Sequence, residues 1–462
     1  MTDIVCHSPV DGREIARRPV ASDATIAAAI AAARAAQRDW AAQPLQVRIG
    51  AVLRMLDVLL AGDAEAVPEL AWQMGRPVRY GGEFRGVAER VRHMAGIAPT
   101  ALAPVVPADR PGFTRYVRRD PLGLVLVIAP WNYPYLTAVN TIAPALIAGN
   151  AVLLKHAAQT LLAGERFAAA AAAAGLPDGL FANLVLSHDQ TAGILASSSV
   201  DHCVFTGSVA GGRAIERAAA GTFTSLGLEL GGKDPAYVRE DADLDDAVAN
   251  LVDGACFNSG QSCCGIERIY VHASLHDGFV ERAAAAVSAY VLGDPLDPAT
   301  TLGPMATARG ADHVRAQLSA ACAAGARGLV DPARFLADTG TGPYLAPQLL
   351  VDVDHRMELM TVETFGPVVG VMKVADDGEA VRLMNDSPYG LSAAIWTRDA
   401  GAAERIGHQL QTGTVFMNRC DYLDPGLAWT GVKDTGRGAS LSAIGYETLT
   451  RPKSFHLKLA GP

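Results

Sequence analysis

The sequence predicts an α/β fold assembled around parallel sheets. Three observations point that way. Short apolar runs at 123–129, 151–155, 182–186 and 203–206 are separated by helical patterns at 142–147, 161–174 and 192–197. The runs are almost continuously apolar, as strands buried on both faces are, and helical crossovers between them suit parallel neighbours. The same texture returns after Glu229, with a helix at 244–257, a strand at 268–271, helices at 275–290 and 306–324, and strands at 368–374 and 393–396. Sheets of this kind hold ligands beyond the carboxyl ends of their strands.

Composition bounds the rest. A chain of 462 residues allows about three domains, and 50% hydrophobic with 19% charged residues suits a large buried core. The net charge of −9 advertises no basic face for nucleic acid or anionic lipid. Seven cysteines, odd in number and scattered without Cys-x-x-Cys or Cys/His spacing, give no structural zinc site. A reducing compartment, the cytoplasm, is expected. The stretch Met1-Thr2-Asp3-Ile4 has no basic or apolar region of a signal peptide. Apolar runs such as 122–130 fall far short of the roughly 20 residues of a membrane span.

Taken in order, residues 9–20 are extended and turn-rich, with Asp11-Gly12 as a hairpin turn. Ser22-Asp23 caps an Ala-rich helix to about Ala42. A second helix follows at 47–60, with further helical segments to about Ile97. Prolines break this pattern over 103–119, where the alternation from Phe113 to Arg118 reads as an edge strand or projecting hairpin. Residues 330–347, with Gly340, Gly342 and Pro343, read as turns. The tail 448–459 alternates Phe455, Leu457 and Leu459, as a strand offered to a neighbouring subunit would.

The chemistry-bearing stretch is Phe257-Asn258-Ser259-Gly260-Gln261-Ser262-Cys263-Cys264. A thiolate there can attack a carbonyl carbon, given a base and an oxyanion site. Two adjacent cysteines in a bend point in different directions, so only one faces a substrate. Glu229, in Leu228-Glu229-Leu230-Gly231-Gly232-Lys233, is the candidate base. Asn132, in Pro130-Trp131-Asn132-Tyr133-Pro134 after strand 123–129, offers a neutral donor to an oxyanion. The turn Phe205-Thr206-Gly207-Ser208 opens a helix whose N-terminus can receive a phosphate, although no Gly-x-Gly-x-x-Gly is present. Lys155, ending strand 151–155, can reach ribose or phosphate.

Together these motifs resemble the aldehyde dehydrogenase superfamily of the hydrolytic, NAD(P)-dependent type, over nearly the whole chain. The resemblance extends to Glu363-Thr364-Phe365-Gly366-Pro367, Asn385-Asp386, Tyr389-Gly390-Leu391 and Gly431-Val432-Lys433. It implies Cys263 as nucleophile, Glu229 as general base, and Asn132 with the Cys263 backbone N–H as oxyanion hole. For the cofactor it implies Trp131, Lys155, Ala158, Gly207, Ser208, Glu363 and Phe365. It implies a Rossmann-like cofactor domain over 1–102 and 122–228, rejoined by 431–447, and an α/β catalytic domain over 229–430. It further implies a β oligomerisation arm from 103–121 and 448–462, in a homodimer or homotetramer.

Two departures from the family pattern bear on specificity. Where many NAD-preferring members carry a Glu on the adenosine ribose, this chain has Ala158, with His156 nearby. NAD is expected, with NADP as the alternative. The substrate tunnel is expected to involve Tyr133, Thr137, Asn140, Ser262, Cys264, Asp421, Tyr422, Leu423 and Trp429. Semialdehyde-oxidising relatives often place an Arg near the position of Asn140; its absence speaks against that substrate. Asp421 with Tyr422 and Trp429 suits a cationic or aromatic aldehyde. A CoA-acylating relative, which tends to lack the base, and a non-catalytic member are the alternatives.

Overall fold

The computed structural model describes residues 3–459. Two sheets carry the architecture. The first has six strands in the order Gly436–Arg437, Ser225–Glu229, His202–Thr206, Leu124–Ile128, Ala151–Lys155 and Phe181–Asn183. All neighbours are parallel except the short edge strand Gly436–Arg437. Chain order runs outward from Leu124–Ile128 through Ala151–Lys155, then resumes on its other side with His202–Thr206. The crevice where the direction reverses lies beyond Ile128 and Thr206, where the Pro-Trp-Asn loop and the Gly-Ser turn emerge.

The second sheet has seven strands in the order Arg327–Gly328, Gln348–Val351, Val368–Val374, Ile266–His272, Asp234–Val238, Ser392–Trp396 and Thr414–Met417. Only its edge pair Arg327–Gly328 is antiparallel. Four expected strands of the first sheet are present, with 182–186 shifted to Phe181–Asn183. The sequence reading missed strands Ser225–Glu229, Asp234–Val238, Gln348–Val351 and Thr414–Met417, and helices Asp377–Asn385 and Ala400–Gly407. Asp234–Val238 shows why. It begins Asp-Pro, a turn signature, yet is buried at every residue because Asp234 accepts Ser392 N and Oγ from the adjoining strand.

Helix Asp23–Ala41 starts where the sequence places it, because Ser22 Oγ accepts the Thr25 N–H. The tail strand Thr450–Lys458 joins the arm hairpin that the resemblance implies. It pairs antiparallel with Phe113–Pro121 of the same chain, with Tyr116 stacked on Phe455 at 4.5 Å. One edge of the tail strand is thus paired within the chain, and its other edge has no strand partner among the described residues. Residues 460–462 of the expected arm lie outside the described residues.

One buried ion pair joins the two halves. Arg76, 4% exposed as a side chain, donates Nη1 to Glu83 Oε1 at 2.6 Å, and Glu83 is 2% exposed. Arg76 Nη2 donates to the Asn132 carbonyl at 2.6 Å, and Nε to Asn258 Oδ1 at 3.2 Å. The second Glu83 oxygen accepts the backbone N–H groups of Tyr135 and Leu136, at the start of helix Leu136–Ala148. Breaking such a pair leaves an uncompensated buried charge, a cost of about 3–5 kcal/mol. Arg76→Met and Glu83→Gln should each lower the unfolding free energy by that order. The double variant should cost less than the sum of the singles, as denaturant unfolding of all four proteins would report.

Candidate active site

The cysteine loop has an unusual backbone. Asn258, Ser259 and Gly260 have φ of 53°, 57° and 68°, three consecutive left-handed residues. Such a run is unfavourable for non-glycine residues and persists only where its surroundings fix it. Here Asn258 Nδ2 donates to the Asn132 carbonyl, Ser259 Oγ to the Gly303 carbonyl, and Gln261 Nε2 to the Asn258 carbonyl. Gly260 must be glycine for a second reason, since a Cβ there would lie 2.3 Å from the Gly366 carbonyl. The bend delivers Cys263 just ahead of strand Ile266–His272.

Glu229 arrives from the other sheet, as the last residue of strand Ser225–Glu229. The glycines after it serve close approach. A Cβ on Gly232 would sit 2.5 Å from the Cys263 carbonyl, and one on Gly231 would meet the Glu363 carboxylate. Lys233 then anchors the loop, donating to Glu267 Oε2 at 2.6 Å and to Thr364 Oγ1 at 2.7 Å. Glu267 in turn accepts the backbone N–H groups of Thr364 and Phe365. Three distant motifs thus meet around one buried ion pair.

The site lies beyond the carboxyl ends of the first sheet, as expected. The second sheet contributes the opposite edge. Gly-Gly-Lys, the cysteine loop and Phe365-Gly366-Pro367 each precede a strand, so they converge on its amino ends. The carboxyl-end rule describes the sheet that carries the switch in direction, and does not extend to the sheet facing it.

A cavity of about 350 Å³ joins Cys263 and Glu229. Tyr133, Thr137 and Asn140 line it from the loop and helix after strand Leu124–Ile128. Ser262 and Cys264 line it beside Cys263, and Asp421, Tyr422, Leu423 and Trp429 line it from the segment after strand Thr414–Met417. The two cysteines have different settings. Cys263 is part-exposed, whereas Cys264 is buried and donates its thiol to Asp421 Oδ1 at 2.9 Å. Its bonded neighbour Cys263 and its burial hold Cys264 well above the usual thiol range. Asp421 also accepts Ser262 Oγ at 3.0 Å, and burial pushes it up to about 6. Burial raises Glu229 above the ordinary carboxylate range.

Asn132 is buried and does not line the cavity. Its Nδ2 donates one bond to the Gln261 carbonyl at 3.1 Å, which leaves a second N–H. Sequence reasoning missed Arg90, Glu89, Asn250 and Asp253, all of which line the cavity. Arg90 had a visible signal. It falls between Val87 and Val91 on the buried stripe of helix Phe84–Ala101, where a charged residue is out of place.

The dinucleotide side is formed by the turn after strand His202–Thr206, the end of strand Ala151–Lys155 and the loop that carries Glu363 and Phe365. Helix Val209–Ala219 begins at Ser208, whose Oγ caps Gly211 N. A Cβ on Gly207 or on Gly211 would lie 2.6 Å from the Phe205 ring, so the helix start is kept bare. Lys155 ends its strand with a largely buried amine, lowered by burial. Glu363 accepts Gly232 N at 3.2 Å, and burial pushes it up to about 8. Trp131 meets Phe365 edge-on at 5.6 Å. An open helix N-terminus, a cation and an aromatic pair fit a nicotinamide dinucleotide. Ala158 opens a short turn, Ala158–Thr160, and brings no carboxylate. His156 is no phosphate clamp: Nε2 meets the Pro134 carbonyl and Nδ1 meets Thr160 Oγ1. Among the described residues no cluster of His, Cys, Asp or Glu could hold a metal ion. No described helix is long and apolar enough to cross a membrane.

Residues 1–455 match the sequence profile of the aldehyde dehydrogenase family. A succinate-semialdehyde dehydrogenase [NADP(+)] of Mycobacterium ulcerans is 35% identical over 456 residues, spanning 98% of this chain and 99% of that one. A geranial dehydrogenase of Castellaniella defragrans is 36% identical over 434 residues, spanning 93% of this chain and 90% of that one. The crystal structure of a succinate-semialdehyde dehydrogenase from Burkholderia pseudomallei superposes with a TM-score of 0.93 at 29% identity, covering 99% of this chain and 95% of that one. The chain belongs to the aldehyde dehydrogenase family and is an NAD(P)-dependent, aldehyde-oxidising enzyme.

Proposed function

We propose that Cys263 is the nucleophile that oxidises an aldehyde to its carboxylic acid, with Glu229 as the base. The single observation that carries this is the cavity shared by the part-exposed Cys263 thiol and the buried Glu229 carboxylate. The Cys263 thiolate adds to the carbonyl carbon, and the electron pair moves to oxygen. Asn132, through its second N–H, and the Cys263 backbone N–H hold that oxyanion. When bound, the dinucleotide supplies the hydride acceptor for the thiohemiacetal carbon. Glu229 takes a proton from the water that attacks the thioester, the C–S bond breaks, and the thiolate is restored with release of the acid. A buried base beside the cavity favours water over CoA as acyl acceptor. Cys264, committed to Asp421, stays a thiol.

In this reading Ser208 and the bare helix start hold the pyrophosphate, with Lys155 toward the adenosine ribose. Glu363, Phe365 and Trp131 hold the nicotinamide end. NAD is the leading cofactor, and NADP is accepted because Ala158 brings no carboxylate to repel a 2′-phosphate. The NADP(+) relative supports the second half of that statement. The division into a cofactor domain (1–102, 122–228, 431–447), a catalytic domain (229–430) and an arm (103–121 with the tail) follows the two sheets and the ribbon. Exposed Val105, Val106, Leu457 and Leu459 on the arm support a homodimer or homotetramer. A cytoplasmic setting agrees with seven free cysteines.

Absorbance of the reduced cofactor tests these roles on a panel of aldehydes, with NAD and NADP in parallel. Cys263→Ala should abolish turnover, while Cys264→Ala should retain it. Cys264→Ala inactive with Cys263→Ala active would overturn the assignment. Asn132→Ala should lose about 10²–10³ in kcat, the usual cost of one oxyanion donor. Burial raises Glu229, so the base becomes protonated earlier as pH falls than an exposed glutamate would. The wild-type kcat should therefore decline on the acid side above the ordinary carboxylate range. Glu229→Gln should give one rapid burst of reduced cofactor, then slow turnover without that acid limb.

A further inference from the structure

Arg90 is 8% exposed and stands on the apolar stripe of helix Phe84–Ala101. Its Nη1 donates to the Leu136 carbonyl at 2.8 Å and to Asn140 Oδ1 at 3.0 Å. Among the described residues, Nε and Nη2 have no hydrogen-bond partner, and no carboxylate lies within 4.0 Å of the guanidinium. Burial lowers its pKa from a very high starting point, so the group keeps its charge. A buried charge with only neutral partners is costly, and folds seldom keep one without a counter-ion. Asn140 points the same way. Arginine only donates, so the contact fixes Oδ1 of Asn140 toward Arg90. That leaves Asn140 Nδ2 buried with no partner, on a side chain 2% exposed. Both residues line the cavity that holds Cys263.

The cavity's carboxylates do not fill this role. Asp421 already accepts Ser262 and Cys264, and burial pushes it up to about 6. Glu89 accepts the Tyr422 hydroxyl at 2.7 Å. Neither Asp253 nor Glu229 comes within 4.0 Å of the guanidinium nitrogens. Arg90 is the one basic side chain among the described residues that line the cavity, and it has no carboxylate within 4.0 Å.

We infer that Arg90, positioned by Asn140, binds an anionic group of the substrate, a carboxylate carried a few carbons from the aldehyde. The inference rests on Cys263 as the nucleophile in this same cavity. The guanidinium presents two free N–H-bearing nitrogens to the carboxylate oxygens, a forked arrangement, and Asn140 Oδ1 holds it in place through Nη1. Arg90 is thus the residue that sets specificity, reaching the tunnel from a helix that the local motifs around Asn140 do not include.

The test compares kcat/KM for a four-carbon omega-oxo carboxylate with that for pentanal, and with an amino-aldehyde of similar length. Wild type should prefer the oxo-carboxylate. Arg90→Gln should cut that preference about 100-fold, mainly through KM, as expected for loss of a buried charged hydrogen bond. Arg90→Lys should restore part of it. A binding readout needs no turnover: succinate should bind the Cys263→Ala protein by calorimetry, and should not bind Cys263→Ala/Arg90→Gln. A wild type that favours pentanal or the amino-aldehyde would overturn the inference while leaving Cys263 in its role. So would equal losses on all three substrates in Arg90→Gln. Turnover that survives Cys263→Ala would instead overturn the assignment of the nucleophile.

Discussion

Arg76 is the constraint on which the site's geometry depends. It is one guanidinium with three acceptors, and each belongs to a different part of the chain. Glu83 turns it toward the start of helix Leu136–Ala148, the Asn132 carbonyl belongs to the first sheet's loop, and Asn258 belongs to the cysteine bend. A planar fork of donors can satisfy such divergent partners where a point-charge ammonium cannot. The left-handed run at Asn258, Ser259 and Gly260 needs such an external support. Fixing it there sets where Cys263 stands relative to Asn132.

A second pair, Lys233 with Glu267, does the same on the opposite wall. Glu267 receives an ammonium and two backbone N–H groups, and so holds Gly-Gly-Lys, strand Ile266–His272 and Thr364-Phe365 in one place. The pair is nearly dry, with side chains 0% and 5% exposed. Its value is register more than net stability, since burying both charges offsets much of their attraction. With both walls pinned, Gly231 and Gly232 let the Glu229 strand end come close to the Cys263 backbone.

The two neighbouring cysteines illustrate how a small difference in setting separates chemical roles. Cys264 faces inward to a carboxylate that accepts its proton-bearing sulfur. A negative neighbour and burial both disfavour a thiolate there. Cys263, one residue away, is part-exposed at the cavity. Arg90 stands among the same walls as the one basic side chain of the described lining, with no carboxylate within 4.0 Å.

The sequence by itself determined the α/β class, the caps and the motifs. Ser22 starts a helix because a hydroxyl satisfies a nearby N–H, and Leu124–Ile128 is a buried strand because five apolar residues in a row have no polar face. Those are local consequences of residue type. The nine residues that the family resemblance places in a tunnel all line the cavity. What lay beyond the sequence was which distant groups meet. Strand Asp234–Val238 starts with a turn signature and exists because Ser392 satisfies Asp234. The tail reads as a strand from its alternation, and only the structure gives its register on Phe113–Pro121 along one edge. Asn140 stands alone in sequence, and Arg90 reaches it across 50 residues. Hydrogen bonds and ion pairs act over a few ångströms of space whatever the separation along the chain, so only the tertiary structure decided those partners.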